Sequence, residues 1–560
     1  YLFSITHLSI IPDQVLELAR IRAINFHDGL LPEYAGLNVT TWALYNQEKQ
    51  HGITWHEMTA DIDKGNILKQ HIFDIDDNET AFTLNTKCYE AALSSFSELL
   101  ADIESGNITG VPQQPGQAGL YKRCDRIPAM AIIDWQSEAS QINAMIRALD
   151  FGPYSNPVGT AKLFLEDTAY IVTESEIIQG LSGRAGEVLD VDNHLTVSAR
   201  DHAIRINKLH DLHGHEVSPS SISGLSVGQL LPSLDTRKIE TLSLIDKQSC
   251  QYEPHWIESL LNCHQLDIPF KRNTSENDGK YNFESISCDL THIVRADWAD
   301  AKTLRALAVL FFSRLCSEQQ FSVYIDTGNH NSDHALFLEH CVPVHFDIDF
   351  DTNASDAIQY CRDIISRAQD MGGYCIDLHA REPELGSIQS QKSIVITTSD
   401  NIDSVRARND AALQIMVSPG STRTDWRFNQ SSYSSESIRR LQSLFCVYLE
   451  NMIARPDSAV KHIGLMNKAE TNRILYQWND TGDSYDSSTC IHQLFEQQVE
   501  KTPDAIALSF GSHHLTYATL NKRANKIAHN LLDKHVAPDD LVGVLVERSR
   551  YMIAVMMGVL

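Results

Sequence analysis

The sequence predicts a multidomain protein: a partial α/β layer, a small β-rich unit, a region of mixed helix and strand, and the start of a second α/β unit. Three observations predict it. The 560 residues are too many for one hydrophobic core. Strand and helix signals alternate over the first hundred residues. Two stretches rich in Pro, Gly, Gln and Ser, Gly110 to Gly119 and Val217 to Ser226, punctuate the chain as linkers.

In order, YLFSI reads as a strand and IPDQVLELARI as a helix, with Pro12 in its first turn and Val15, Leu16 and Ala19 on one face. AINFH and GITWHEMTA alternate as strands. A long helix follows with Leu93, Phe96, Leu100 and Ile103 at helical spacing, stopped by Gly106. This layer, residues 1–105, is too small for a doubly wound sheet, so further strands are expected upstream of Tyr1. After the linker at 106–119, five short runs between 120 and 216 (GTAKLFL, TAYIVTES, GEVLDVD, HLTVSAR, AIRINKL) read as strands parted by turns. A second linker is expected at 217–249. The mixed region, 250–465, carries the apolar helices AKTLRALAVLFFSRLC and SSESIRRLQSLFCVYLENMIARP. A new α/β unit occupies 474–560. Beginning on a strand without Met and ending in the apolar YMIAVMMGVL, the chain is expected to be a piece of a longer polypeptide.

Composition narrows the partners. A formal net charge of −27 makes nucleic acid a poor partner. The eleven Cys form no Cys-x-x-Cys pair and no zinc spacing, which predicts reduced thiols and no metal site. No signal peptide and no apolar run near the roughly 20 residues of a membrane span are present, so a cytoplasmic protein without a membrane partner is expected.

The stretch with most chemical content is AINFHDGLLPEYAGLN. Residues two apart on a strand share a face, so Asn25 and His27 project together while Phe26 points the other way. An amide donor beside an imidazole suits a developing oxyanion, and the imidazole can also move a proton. The pair lacks a carboxylate to fix the ring, and TADIDKGNIL offers Asp61 and Asp63. His56 is expected on the strand face opposite Trp55 and His51 in a loop, both with ordinary roles.

INFHDGLLPEYAGLN followed by HGITWHEMTADIDKGNIL resembles the formyltransferases that use 10-formyltetrahydrofolate, such as methionyl-tRNA formyltransferase. The resemblance covers about residues 1–105 and implies a catalytic trio of Asn25, His27 and Asp63, with Asp63 preferred over Asp61 because it stands two before Gly65. It implies formyl transfer to a primary amine: Asn25 and His27 stabilise the oxyanion, and Asp63 holds His27 and helps move the amine's proton. The family's amino-terminal strands, which complete its folate pocket, have no counterpart here, and no folate-binding residue is named. IRALDFGPYSNPVGTAKL is similar to the family's small carboxy-terminal β-barrel, at 120–216. That segment holds nine Lys/Arg against fourteen Asp/Glu, a net of −5, the wrong sign for tRNA.

LTYATLNKRANKIAHNLL, preceded by ILYQWNDTGDSYDSSTCIHQLFEQQVEKTPDAIAL, resembles the start of the adenylation domains of nonribosomal peptide synthetases. Residues 250–465, through TRTDWRFNQSSYSSESIRRLQSLFCVYLENMIARPDSAV and LMNKAE, are similar to the α+β carboxy-terminal lobe of a condensation domain, without that domain's His-His-x-x-x-Asp-Gly. The resemblances together imply an initiation module: an amino acid, adenylated with ATP and Mg and loaded on a carrier protein's phosphopantetheine, is N-formylated from 10-formyltetrahydrofolate before downstream modules extend it. The alternatives are a formyltransferase acting on a free small amine such as an amino sugar or hydroxyornithine, and a non-catalytic docking fragment.

Overall fold

Alternation of apolar and polar residues becomes a four-stranded sheet at the start of the chain. The computed structural model describes residues 1–7, 10–114, 119–165, 168–272, 282–294, 298–328, 336–387, 391–398, 408–485 and 487–560. Of the expected linker at 106–119, residues 115–118 lie outside the described residues. Strands β1 (Leu2–Ser4), β2 (Ala23–His27), β3 (Gln50–Glu57) and β4 (Ile67–Asp74) lie in that order. β1 is parallel to β2, and β2–β3 and β3–β4 are antiparallel. Helix α1 spans Val39–Tyr45 and helix α2 spans Ala81–Glu104. A reciprocal Thr80/Thr83 capping box starts α2 by satisfying its first free N–H groups.

Two local expectations need correction. The helix expected over IPDQVLELARI forms only at Asp13–Leu16 and buries nothing, so no apolar face drives it further. On α2, Leu93 and Leu100 are exposed, and the buried stripe is Leu84, Cys88, Ala92, Ser95 and Leu99. Small residues let the helix sit close on the sheet, where Trp55 Nε1 donates to Ser95 Oγ at 2.9 Å.

The second sheet is antiparallel and five-stranded, in the order Lys162–Leu165, Thr168–Ile178, Ala203–His210, Leu195–Ser198 and Val188–Val191. Helix Ala139–Ala148 packs on it through Ile142, Met145 and Ile146. This core is continuous with the first layer, because Tyr34, Val39, Trp42 and Ala43 belong to the same buried cluster. The stretch 217–249, expected as a linker, adds the buried Ile222 and Leu231 to that cluster and folds into a helix at Thr236–Ser249.

A six-stranded mixed sheet follows, in the order Phe283–Asp289, Arg423–Asn429, Ala411–Val417, Lys392–Thr398, Gln320–Asp326 and Cys341–Asp347. Helices Ala301–Cys316 and Ser435–Ala454 fill its core with Phe311, Phe312, Phe445 and Tyr448, and Trp426 comes from the sheet. A buried ionic cluster ties this region to the five-stranded sheet. Lys162 Nζ lies 2.7 Å from Asp377, Arg381 Nε 3.2 Å from Asp377, and Arg126 Nη2 2.9 Å from Glu253, which Arg381 also binds.

All of this forms one compact unit, Tyr1–Asn467, and Lys468–Leu560 forms another. The second has helix Ile491–Lys501, a hairpin of Ile506–Phe510 with His513–Thr516, and helix Tyr517–Leu532 packed on Arg550–Val559. Leu520 and Ala524 are the buried contacts of helix Tyr517–Leu532. Among the described residues no helix is long and apolar enough to cross a membrane.

Candidate active site

Strand register assembles the site. Asn25 pairs with His56 and His27 with Thr54, so in this antiparallel ladder all four share one face of the sheet. Phe26 and Trp55 pair on the other face, their rings 5.4 Å apart in the core against α2. The turn between β3 and β4 then brings Asp63 over the polar face, its backbone left-handed at φ 53°.

Asp63 is the hub. Its Oδ2 accepts from Gly36 N at 2.9 Å and lies 3.6 Å from His27 Nδ1. Its Oδ1 lies 3.3 Å from His56 Nε2. Burial would raise this carboxyl. The His56 contact, the charge of His27 and the Gly36 N–H outweigh it and hold the group below its ordinary value. Asp61, the alternative carboxylate, has its side chain 70% exposed and, among the described residues, pairs with Lys64 at 3.5 Å, outside the cluster.

His27 is buried, and its Nε2 donates to Tyr34 O at 2.5 Å, which turns Nδ1 toward Asp63. Glycine permits that closure: a Cβ on Gly29 would stand 2.6 Å from Tyr34 O and 2.9 Å from His27 Nε2. His56 Nδ1 donates to Glu57 O at 2.9 Å. Its Nε2 therefore accepts from Asn25 Nδ2 at 3.2 Å when the ring is neutral and donates to Asp63 when protonated. Asn25, like Asp63, is only partly buried, and it has a second amide N–H to offer.

His56 is the residue that the sequence does not single out. It alternates with Trp55 as expected, but the face it occupies is the one bearing Asn25 and His27. The pairing of β2 with β3 supplies that information, and a single strand's pattern does not. His51 also differs from expectation. It lies in β3, fully buried, its Nε2 donating to Asp28 O at 2.8 Å, and burial lowers its pKa.

Parts of this sequence match known protein families. Residues 4–100 match the formyl transferase family, residues 127–224 the formyl transferase C-terminal domain, and residues 495–560 the AMP-binding enzyme family. The chain carries both formyl transferase domains. They are joined to the start of an AMP-binding domain. Tyrocidine synthase 3 of Brevibacillus parabrevis is 36% identical over 154 residues, 28% of this chain and 2% of the synthase. Bacitracin synthase 1 of Bacillus licheniformis is 38% identical over 138 residues, 25% of this chain and 3% of that protein. The chain thus spans a few per cent of the length of these curated relatives. Among solved structures, HypX from Aquifex aeolicus in complex with tetrahydrofolic acid is 18% identical, with 40% of this chain and 38% of that one covered, at a TM-score of 0.32.

Proposed function

We propose that this formyltransferase N-formylates the amine of an amino acid held on a carrier protein, at the start of nonribosomal peptide synthesis, with 10-formyltetrahydrofolate as donor. The observation that carries the reading is the union in one chain of two formyl transferase domains and the start of an AMP-binding domain. Similarity to peptide synthetases supports it, and the acidic 120–216 segment supports an amine other than one on tRNA. The six-stranded region is read as a condensation-like lobe that docks its neighbours. Its sequence lacks His-His-x-x-x-Asp-Gly, so no peptide-bond chemistry is assigned to it. The five-stranded sheet is read as the small C-terminal barrel.

The residues present fit the reacting end of such a donor. An amide with a spare N–H, an imidazole and a carboxylate meet on one polar face, and no contact to a pterin ring is assigned. When bound, the folate supplies an activated formyl carbonyl to the attacking amine. Asn25 orients that carbonyl oxygen through Nδ2. His27 holds a proton at Nε2, given to Tyr34 O here and available to the oxygen as charge builds on it. Asp63 fixes the ring through Nδ1 and helps move the proton the amine sheds. Adenylation with ATP and Mg, and the phosphopantetheine thioester, belong to the AMP-binding and carrier partners in this reading.

The test is intact-mass spectrometry of the carrier-bound amino acid in the full synthetase supplied with 10-formyltetrahydrofolate, comparing wild type with His27→Ala. A formyl increment lost in the variant supports the proposal. Turnover with free amines and none on the carrier places the enzyme in the small-amine class. No turnover with either leaves a docking role.

A further inference from the structure

In the stretch that joins the catalytic layer to the five-stranded sheet, described residues before and after 115–118 contact elements that hold His27 and Asp63. On one side, Val111 exchanges two backbone hydrogen bonds with Ile67, each 2.8 Å, at the first residue of β4. Two residues later, Gln113 Nε2 donates to Asp63 O at 2.6 Å and to Gly65 O at 2.8 Å. Those carbonyls belong to the turn that holds Asp63 at φ 53°, a left-handed conformation that non-glycine residues seldom adopt. Gly65 is tightly placed, since a Cβ there would lie 1.7 Å from Glu57 O.

On the other side, Ala35 N donates to Gly119 O at 3.0 Å and Leu37 N to Tyr121 O at 2.9 Å. The Tyr121 ring stacks on Tyr34 and Trp42, with centroids 5.7 and 5.0 Å apart. This braces Tyr34, whose carbonyl receives the His27 proton, and Gly36, whose N–H holds Asp63.

We propose that Gln113 is a positioning residue for formyl transfer: by bridging the carbonyls of Asp63 and Gly65 it fixes the turn that aims the Asp63 carboxylate at His27. The inference rests on the reading of His27 and Asp63 as the reacting pair. Gln113 touches neither ring nor carboxylate, so it acts through backbone geometry alone. Its loss leaves every reacting group present and less often aligned, which lowers kcat more than it raises KM.

The experiment uses the full synthetase and measures formylation of the carrier-bound amino acid across pH for wild type, Gln113→Met, Gln113→Glu, Asp63→Asn and His27→Ala. Gln114→Met, at an exposed neighbour, is the control. The expected result is a kcat roughly tenfold lower in both Gln113 variants with KM little changed. The limb of the pH profile that Asp63→Asn displaces also moves, in the same direction and by less. A contact important only for folding lowers the amplitude and leaves that limb in place, and such a result overturns the inference. So does wild-type kcat in Gln113→Met alongside a crippled Asp63→Asn, which leaves the reacting pair standing. Full activity in Asp63→Asn and His27→Ala removes the reading of the site itself, and the inference falls with it.

Discussion

Replacing Asp63 by Asn is the most informative single change, because it removes one charge and almost no volume. The amide oxygen can still accept from Gly36 N, so the turn keeps its anchor. What goes is the attraction between the carboxylate and a protonated His27, 3.6 Å away. At an effective dielectric of about 20 that separation corresponds to about 4.6 kcal/mol. His56 lies closer to the same carboxylate, at 3.3 Å, and shares its charge, while the neutral amide keeps part of the hydrogen bonding. Halving the figure gives about 2–3 kcal/mol, or a loss of roughly 30- to 150-fold in kcat/KM. The assay is the rate of carrier-bound formylation over a range of pH, with thermal unfolding as the control for folding. A variant that unfolds like wild type and retains its rate and pH profile would show that Asp63 is only a turn residue, and the argument from the cluster would fail.

Other consequences are equally open to measurement. His56→Phe removes a hydrogen bond to a charged group, worth about 1.5–3 kcal/mol, so the formylation rate should fall roughly 10- to 150-fold; an unchanged rate would return His56 to an ordinary packing role. Gly36→Ala should destabilise the protein by about 1–3 kcal/mol in chemical denaturation, since φ is +99° and the new Cβ would stand 2.0 Å from Tyr121 O. Asp377→Asn breaks a buried ionic cluster and should cost about 3–5 kcal/mol. Burial opposes the Asp377 charge, but Lys162 and Arg381 hold its carboxyl well below the usual range. Its contribution to stability is therefore complete above the unfolded value of about 3.9 and drains as the pH falls below it. Asp246 runs the other way. Burial pushes it up to about 6 against the opposing charges of Arg126 and Lys162, so its contribution is complete below about 3.9 and lost as pH rises through about 6. Asp246→Asn should flatten the stability curve across that interval, which denaturation at several pH values will show.

The polar face is legible in the sequence where the information is local. The alternation of Asn25, Phe26 and His27 puts the two polar groups together and the ring in the core, as the sheet has them. Legibility fails where a contact depends on which strand lies beside which. His56 gains its place from the register with Asn25, and Gln113 from a crossing some fifty residues from the turn it holds. The stripe on α2 misleads for a related reason. Leucines at helical spacing look like a core face, yet Ala92 and Ser95 sit against the sheet because a helix over Trp55 needs small neighbours. Ordinary turn chemistry also conceals how much of 217–249 is built into the cores, with Ile222, Leu231 and Leu242 buried there.

The shared core of the first two sheets bears on where this chain can be cut and recombined. Helix α1 finishes its apolar face on residues drawn from 127–231, so a chimera cut at 106–119 would leave Val39 and Trp42 facing solvent. The smallest segment that could be moved with its polar cluster in place therefore runs at least through Leu231.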